Sequence, residues 1–116
     1  IELTGLRELF VSCNAITAIP NGISQLTSLT LLHFKHNALS KLPTTVCKMP
    51  ALRDIELGHN RIRRLPQRIA ALRHLRMLSL EHNAIEAVPE SFSRLDVLPL
   101  RGIDSNPVLV PPKDVV

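Results

Sequence analysis

Three evenly spaced histidines are the residues of this chain best suited to chemistry. His36, His59 and His82 recur at one constant interval, and Cys13 occupies the equivalent place one interval earlier. If each interval is one coil of a repeating structure, these side chains form a row with ~4.8 Å between neighbours. Imidazole and thiolate are zinc ligands, but a straight row does not converge on a tetrahedral centre. The spacing therefore favours a repeated polar turn residue, with metal binding or pH sensing as the alternatives. We predict no metal and no cofactor.

A pair of carboxylates is the second candidate for chemistry. Asp54 and Glu56 flank a single residue, so they share one face of a short strand. Paired carboxylates can work as a general acid and base, but a shallow open surface excludes little water. The chain also contains no glycine-rich phosphate loop, no GxSxG and no HExxH motif. We predict that this chain is not an enzyme.

Arginines are concentrated in the middle of the chain. They are Arg53, Arg61, Arg63, Arg64, Arg68, Arg73 and Arg76. The candidate basic patch consists of Arg61, Arg63, Arg64 and Arg68, which can bind phosphates or an acidic protein partner. A solvated surface that keeps the protein soluble is the alternative. No aromatic side chain is interleaved to stack on bases, so nucleic acid is not the expected partner.

Composition sets further limits. Of the 116 residues, 45% are hydrophobic but only 3% are aromatic, which favours many small repeated contacts over a core of large rings. The formal charge of +4 does not by itself indicate a polyanionic partner. No uncharged apolar run is long enough to cross a membrane, so no membrane-spanning helix is expected. Cys13 and Cys47 differ in repeat position, so we expect free thiols, which suit a reducing compartment.

The chain is a repeat with one constant period. Asparagines, prolines and leading leucines all recur at the same step, and about eight columns hold the register over four units. The columns include Asn14, Asn37, Asn60, Asn83 and Asn106; Pro20, Pro43, Pro66, Pro89 and Pro112; and Leu6, Leu29, Leu52, Leu75 and Leu98.

These columns carry a family resemblance. The stretch LRDIELGHN at residues 52–60, followed by Leu65, Pro66 and Ile69, matches the pattern LxxLxLxxNxLxxLPxxIxxLxx. The chain resembles leucine-rich repeat proteins, and its LPxxIxxL second half resembles the intracellular Ras-associated and plant intracellular class. The resemblance implies an α/β repeat: a right-handed solenoid with a parallel concave sheet and a convex side of loops and short 3₁₀ or α turns. It also implies a cytoplasmic location.

The residues of one unit explain this architecture. Ile55 and Leu57 alternate with Glu56, as in a strand with one buried face. Asn60 stands where the chain leaves the strand, and its amide can both donate to and accept from backbone groups, which predicts a ladder of stacked asparagines. Pro66 fixes φ and lacks an N–H, so it starts the return segment. Each unit buries its apolar face against the next.

The pattern starts and stops within a repeat, so we expect a fragment of a larger repeat domain. The predicted domain covers 1–116, with repeats at about 6–28, 29–51, 52–74 and 75–97 and a partial one at 98–116. The fifth unit departs from the pattern. Arg101 falls in the column of Leu9, Leu32, Ile55 and Leu78, and Pro99 follows the leading leucine. We expect its strand to be irregular.

The predicted concave face holds the candidate site. Residues at the third, fifth and seventh positions of each unit face outward and vary, so they can suit a ligand. The predicted partner-binding residues are Glu8, Phe10, Leu31, His33, Lys35, Asp54, Glu56, Met77, Ser79 and Glu81. Exposed apolar residues rimmed by charge, such as Phe10, Leu31 and Met77, are typical of an interface.

The predicted function is a protein–protein interaction scaffold that presents this face to a partner. Two alternatives remain open. In the first alternative, the chain is a regulatory segment of a larger multidomain signalling enzyme. In the second, it is a structural subunit of a large assembly. A small GTPase or such an assembly is the expected kind of partner, and no membrane is involved.

Overall fold

Short parallel strands recur along the chain in the computed structural model, which describes residues 5–86, 100–101 and 106–107. The strands form one sheet in the order β1-β2-β3-β4-β5. They are β1 (Glu8–Phe10), β2 (Leu31–His33), β3 (Asp54–Glu56), β4 (Met77–Ser79) and β5 (Leu100–Arg101). Sequence-adjacent strands are always spatial neighbours, which confirms the predicted leucine-rich repeat solenoid. Residues 87–97 of the fourth predicted repeat and most of the fifth lie outside the described residues.

The register of the first four strands follows the period of the sequence. The middle residues Leu9, Leu32, Ile55 and Leu78 pair in sequence from one strand to the next. Leu32, Ile55 and Leu78 are all 0% exposed. Their neighbours at either end of each strand point the other way, as the pleat of a strand requires.

A 3₁₀ helix returns the chain in each of the first three coils. The helices are Asn21–Gln25, Thr44–Lys48 and Gln67–Ala71. Each follows a proline whose φ lies between −67° and −69° and whose carbonyl accepts the first turn's hydrogen bond, such as Ile23 N–H to Pro20 O at 3.1 Å. These prolines therefore set where each helix begins. No helix within the described residues is long and apolar enough to cross a membrane.

The core lies between the sheet and the helices. Its largest fully buried side chains are Leu29, Leu32, Leu39, Met49, Leu52, Ile55, Leu57, Ile62, Ile69, Leu72, Leu78 and Leu80. Leu6, Leu9, Val11 and Ile16 of the first coil are only partly buried. Fully burying a Leu or Ile side chain contributes about 1.5–3 kcal/mol, and here each coil supplies that burial for the next.

The fifth strand corrects the predicted register. Leu78 pairs with Leu100 and Ser79 with Arg101, so this step is one position shorter than the step between the earlier strands. Arg101 therefore does not take the core column, because Leu100 stands opposite Leu78.

The asparagine of the fifth unit nevertheless keeps the original period. The Asn106 side chain donates to Leu80 O at 2.8 Å, just as Asn60 donates to Phe34 O at 2.9 Å, and the sequence separation is the same in both bonds. Because the strand has slipped and the asparagine has not, the fifth unit has an additional residue between Arg101 and Asn106. Pro99 lies outside the described residues.

Candidate interaction site: the strand face and its histidine edge

The outward side chains of the first four strands, together with the second residue after each strand, form a surface that we call the strand face. Its three rows are Glu8, Leu31, Asp54 and Met77; Phe10, His33, Glu56 and Ser79; and Ser12, Lys35, Gly58 and Glu81. All the residues predicted to bind a partner lie in these rows. The sheet spaces the members of each row by one strand, ~4.8 Å.

The apolar residues of the strand face are concentrated at its β1–β2 end. Phe10 is 60% exposed, and no other large apolar side chain among the described residues is exposed. Its ring lies 5.3 Å from that of His33, tilted by 56°. Leu31 and Met77 are half-buried, and Asp54 stands between them in their row. Phe10 and Leu31 thus form one apolar end, and Met77 is separate from it.

Contacts between basic and acidic side chains cover the middle of the strand face. His33 Nδ1 lies 3.2 Å from Glu56 Oε2, and Arg76 Nε lies 3.3 Å from Asp54 Oδ1. His33 Nε2 is buried and has no hydrogen-bond partner within the described part of the chain. Asp54 and Glu56 are each paired with a different basic side chain, so they do not act as a coupled carboxylate pair. Their arrangement fixes side chains and does not build an acid–base centre.

The third row contains an ion pair that spans three strands. Lys35 Nζ lies 3.6 Å from Glu81 Oε1, although Gly58 occupies the position between them. A Cβ on Gly58 would collide with the Glu81 carboxylate, so the absence of a side chain opens this path. Ser79 Oγ donates a hydrogen bond to Glu81 Oε2. Ser79 is buried, unlike the other predicted contact residues, and therefore acts on this surface through Glu81.

The pKa of Glu81 is lowered by this environment. Burial alone raises the pKa, but hydrogen bonds from the Ser79 hydroxyl and from the Glu81 backbone N–H outweigh it, with help from the Lys35 ammonium. The carboxylate is therefore charged at neutral pH, as the ion pair requires.

The four residues of the histidine column share an unusual backbone conformation. Cys13, His36, His59 and His82 have φ of 57°, 59°, 57° and 55°, in the left-handed region. Histidine is among the non-glycine residues enriched there. The column is a repeated turn residue, as predicted, because each chain reversal out of a strand needs this conformation.

The three imidazole rings stack along the edge of the strand face. The ring centroids of His36 and His59 are 4.2 Å apart with the planes 17° from parallel, and those of His59 and His82 are 4.6 Å apart at 30°. Parallel rings direct their nitrogen lone pairs side by side, not to one point. No cluster of three metal-ligating side chains occurs in the residues that the structure describes.

The pKa of His59 is lowered in this stack. Desolvation by its neighbours is the largest cause, and the positive charges of His36, His82 and Lys35 lower it further, whereas Glu81 raises it. Because the central ring is held neutral, the stack persists at neutral pH without repulsion between rings.

An asparagine ladder holds the coils in register beneath the histidines. Asn60 Nδ2 lies 2.9 Å from Phe34 O and 3.0 Å from Leu57 O, while its Oδ1 accepts from Leu39 N–H at 3.0 Å. The equivalent bonds recur at Asn37, Asn83 and Asn106. Asn14, by contrast, is exposed, and its side chain donates to Ser12 O at 2.9 Å. The predicted ladder is confirmed from the second coil onward.

The predicted basic patch lies off the strand face. Arg61, Arg64 and Arg68 are exposed, and Arg63 Nη2 lies 3.5 Å from Glu86 Oε1. Arg76 belongs instead to the strand face, where it pairs with Asp54. The arginine-rich segment is therefore divided between two surfaces.

Both cysteines are free, as predicted. Cys13 is exposed, while Cys47 is buried in the second 3₁₀ helix. Burial raises the pKa of the Cys47 thiol to about 11, against a smaller lowering by Arg68. Cys47 is therefore a protonated, unreactive core residue at neutral pH.

Two residues of the site escaped the sequence analysis. Gly58 is absent from the predicted contact residues, but a glycine between Lys35 and Glu81 in one row is a signal that these neighbours can meet across it. Arg76 was grouped with the basic cluster, although its place one strand after Asp54 puts the two side chains within reach.

Comparison with known proteins shows which family these repeats resemble. The family model for leucine-rich repeats matches residues 4–62 and 50–106. A leucine-rich repeat protein of Leptospira interrogans is 33% identical, with a TM-score of 0.91 over 97% of this chain and 29% of that chain. The internalin inlF of Listeria monocytogenes is 27% identical, with a TM-score of 0.78 over 91% of this chain and 30% of that one.

A third structure, PEPR1–AtPEP1, is 28% identical, with a TM-score of 0.79 over 89% of this chain and 15% of that chain. The chain thus spans less than a third of each of these structures. No curated protein matches it significantly. The family match covers most of the sequence and every described strand, so these coils form a non-catalytic binding module, and the chain belongs to the leucine-rich repeat family.

Proposed function

We propose that the chain is a rigid scaffold that binds a protein partner on its concave strand face. The observation that carries the proposal is Phe10. This ring is 60% exposed on an ordered strand, beside the half-buried Leu31 and against His33. Large aromatic side chains that are exposed next to polar groups are characteristic of interface centres.

The ion pairs of the strand face support the rigidity of this scaffold. Asp54, Glu56 and Glu81 are each paired with a basic side chain from another coil. A partner therefore meets side chains that are already positioned, and their ordering costs little conformational entropy on binding. The likeness to the PEPR1–AtPEP1 structure and to an internalin further supports a binding role.

A paired substitution tests the face. Phe10→Glu with Met77→Glu places two carboxylates on the strand face, and Thr17→Glu with Gln25→Glu places the same charge on exposed positions outside it. The wild-type protein first captures a partner from cell extract, which is identified and purified. Calorimetry with the purified partner then gives the affinity of each variant.

We expect the strand-face variant to bind at least about tenfold more weakly, a change of about 1.4 kcal/mol, and the control to bind like the wild type. Unchanged binding by the strand-face variant would refute the proposal. Loss of binding in Arg61→Ser with Arg64→Ser instead would assign the partner to the basic patch.

We further propose that the protein is cytoplasmic and belongs to the intracellular class of these repeats. Two free cysteines, one exposed, support a reducing compartment. Thiol labelling of the protein in intact cells, without added reductant, tests this. Cys13 should react, whereas a Cys13 already blocked by disulfide formation would contradict the assignment.

A further inference from the structure

The histidine column and the third row of the strand face share one backbone. Lys35, Gly58 and Glu81 directly precede His36, His59 and His82 in the sequence. The bonds His36 N–H to Gly58 O, at 3.0 Å, and His59 N–H to Glu81 O, at 2.8 Å, tie each coil to the next at this point. A change in the histidine stack is therefore transmitted through a single peptide unit to the strand face.

Charges around the stack are unevenly distributed. His59 faces His36 on one side and His82 on the other, with Lys35 and Glu81 nearby, and Cys13 holds the next position beyond His36. Glu81 is the one acidic group among these, and it already binds the Lys35 ammonium and the Ser79 hydroxyl. A proton on His59 thus has no uncommitted acidic partner among the described residues facing it.

We propose that this histidine stack makes the strand face proton-sensitive. Protonation of adjacent rings drives them apart and draws the Glu81 carboxylate toward the column, away from Lys35 and Ser79. The strand face then has one arrangement of charges at neutral pH and another in mild acid. The consequence for partner binding rests on the proposed function, but the rearrangement itself does not.

Two features of the geometry and one of the electrostatics support the proposal. The rings are close enough, at 4.2 and 4.6 Å between centroids, for like charges to repel strongly. The left-handed backbone at each histidine fixes where each side chain starts, so the stack is relieved by rotation of the rings. Desolvation and the neighbouring positive groups already hold the pKa of His59 below its ordinary value.

Titration by NMR tests the proposal without any partner. The Cε1–H resonances of His36, His59 and His82 are followed from pH 8 to pH 5, with His74 as an exposed reference outside the column. We expect the midpoint of His59 to lie below the ordinary pKa value of 6.5. His36→Asn, which keeps a residue tolerant of the left-handed backbone, should raise the midpoint of His59, and His74→Asn should leave it unchanged.

The strand face supplies the second measurement. The amide resonances of Gly58 and Ser79 should shift between pH 7.5 and pH 5.5, with much smaller shifts in His59→Asn and undiminished shifts in His74→Asn. A His59 midpoint at the ordinary pKa value of 6.5 that is unmoved by His36→Asn would overturn the proposal. So would Gly58 and Ser79 shifts that persist in His59→Asn. Loss of the proposed binding function alters neither result.

Discussion

Lys35 and Glu81 pair at 3.6 Å although a whole coil lies between them and their strands do not touch in the sheet. Every strand pairing joins consecutive strands, so this contact bypasses the coil between them. It exists because Gly58 leaves room for the Glu81 side chain to lie across the third strand.

Replacing Gly58 should break the ion pair between Lys35 and Glu81. In Gly58→Ala the new methyl group displaces the Glu81 carboxylate from Ser79 and Lys35, so the pKa of Glu81 should rise toward its ordinary value of 4.5. The displaced group is the end of a flexible side chain, so stability should fall by no more than about 1 kcal/mol. Carboxyl ¹³C titration measures the pKa. Gly22→Ala, which enters open space, is the control and should leave Glu81 unchanged.

Asn60→Ala should cost about 1–3 kcal/mol, because it leaves the buried N–H of Leu39 without a partner. It also removes one of the two side-chain amides that donate to the carbonyls of Phe34 and Leu57, which keep their bonds from Asn37 and Asn83. Asn14→Ala removes the same side chain from the exposed first coil and should cost less than about 0.5 kcal/mol. Urea unfolding of both variants gives the comparison. Equal losses would mean that the ladder contributes nothing beyond local turn geometry.

The register of the fifth strand predicts which of Leu100 and Arg101 matters more for stability. The order is the reverse of the one expected if the repeat continued unbroken. Leu100 stands at the place of Leu78, so Leu100→Ala should lower the unfolding midpoint clearly more than Arg101→Ala does. Thermal unfolding followed by circular dichroism compares the two. A larger loss from the arginine variant would restore the unbroken register and contradict the observed pairing.

The two thiols should differ in reactivity. At pH 7.5 iodoacetamide should modify Cys13 in the folded protein and leave Cys47 intact, because Cys47 is buried and its pKa is raised to about 11. Intact mass should therefore show one adduct in buffer and two in denaturant. Two adducts under native conditions, with unfolding excluded by circular dichroism, would show that the second 3₁₀ helix opens readily.

Stability should decline on acidification in two stages. The folded-state pKa of His59 is below 6.5, so the unfolded chain takes up its proton first, and stability falls as the pH drops below about 6.5 through the folded-state pKa. The folded-state pKa of Glu81 is lowered from 4.5, so its contribution is present above that pH and is lost below it. Thermal melts from pH 8 to pH 4 measure both stages.

His59→Asn isolates the first stage. The variant should melt with a weaker pH dependence between pH 7 and pH 5 and retain the decline below pH 4.5. A wild-type slope in this variant would show that His59 does not cause the upper stage.

The sequence predicted the repeat, the strands and the ladder because these depend on residue type at a fixed period. Leu32, Ile55 and Leu78 recur at that period and are all fully buried. The hydrogen bonds of Asn60 are predicted from the ability of its side-chain amide both to donate and to accept. The observed bonds match that prediction.

Two features could not be predicted from the period. The β5 register is shifted by one position at Leu100, and a pattern that repeats at one constant step does not indicate such a shift. The Lys35–Glu81 pair depends on how far two flexible side chains extend across Gly58, which is a property of conformation and not of spacing. For the same reason the row of histidines was predicted but the stacking of its rings was not.

The asparagine ladder also determines how the molecule should respond to a pulling force. Each rung joins one coil to the one before it, so tension applied along the solenoid axis loads the rungs in series. Among the described coils the first has the weakest rung, since the Asn14 side chain makes only a local bond and Leu6, Leu9 and Val11 are only partly buried. Under load, rungs of unequal strength should open one by one, and the described coils would behave as an extensible spring with unequal links.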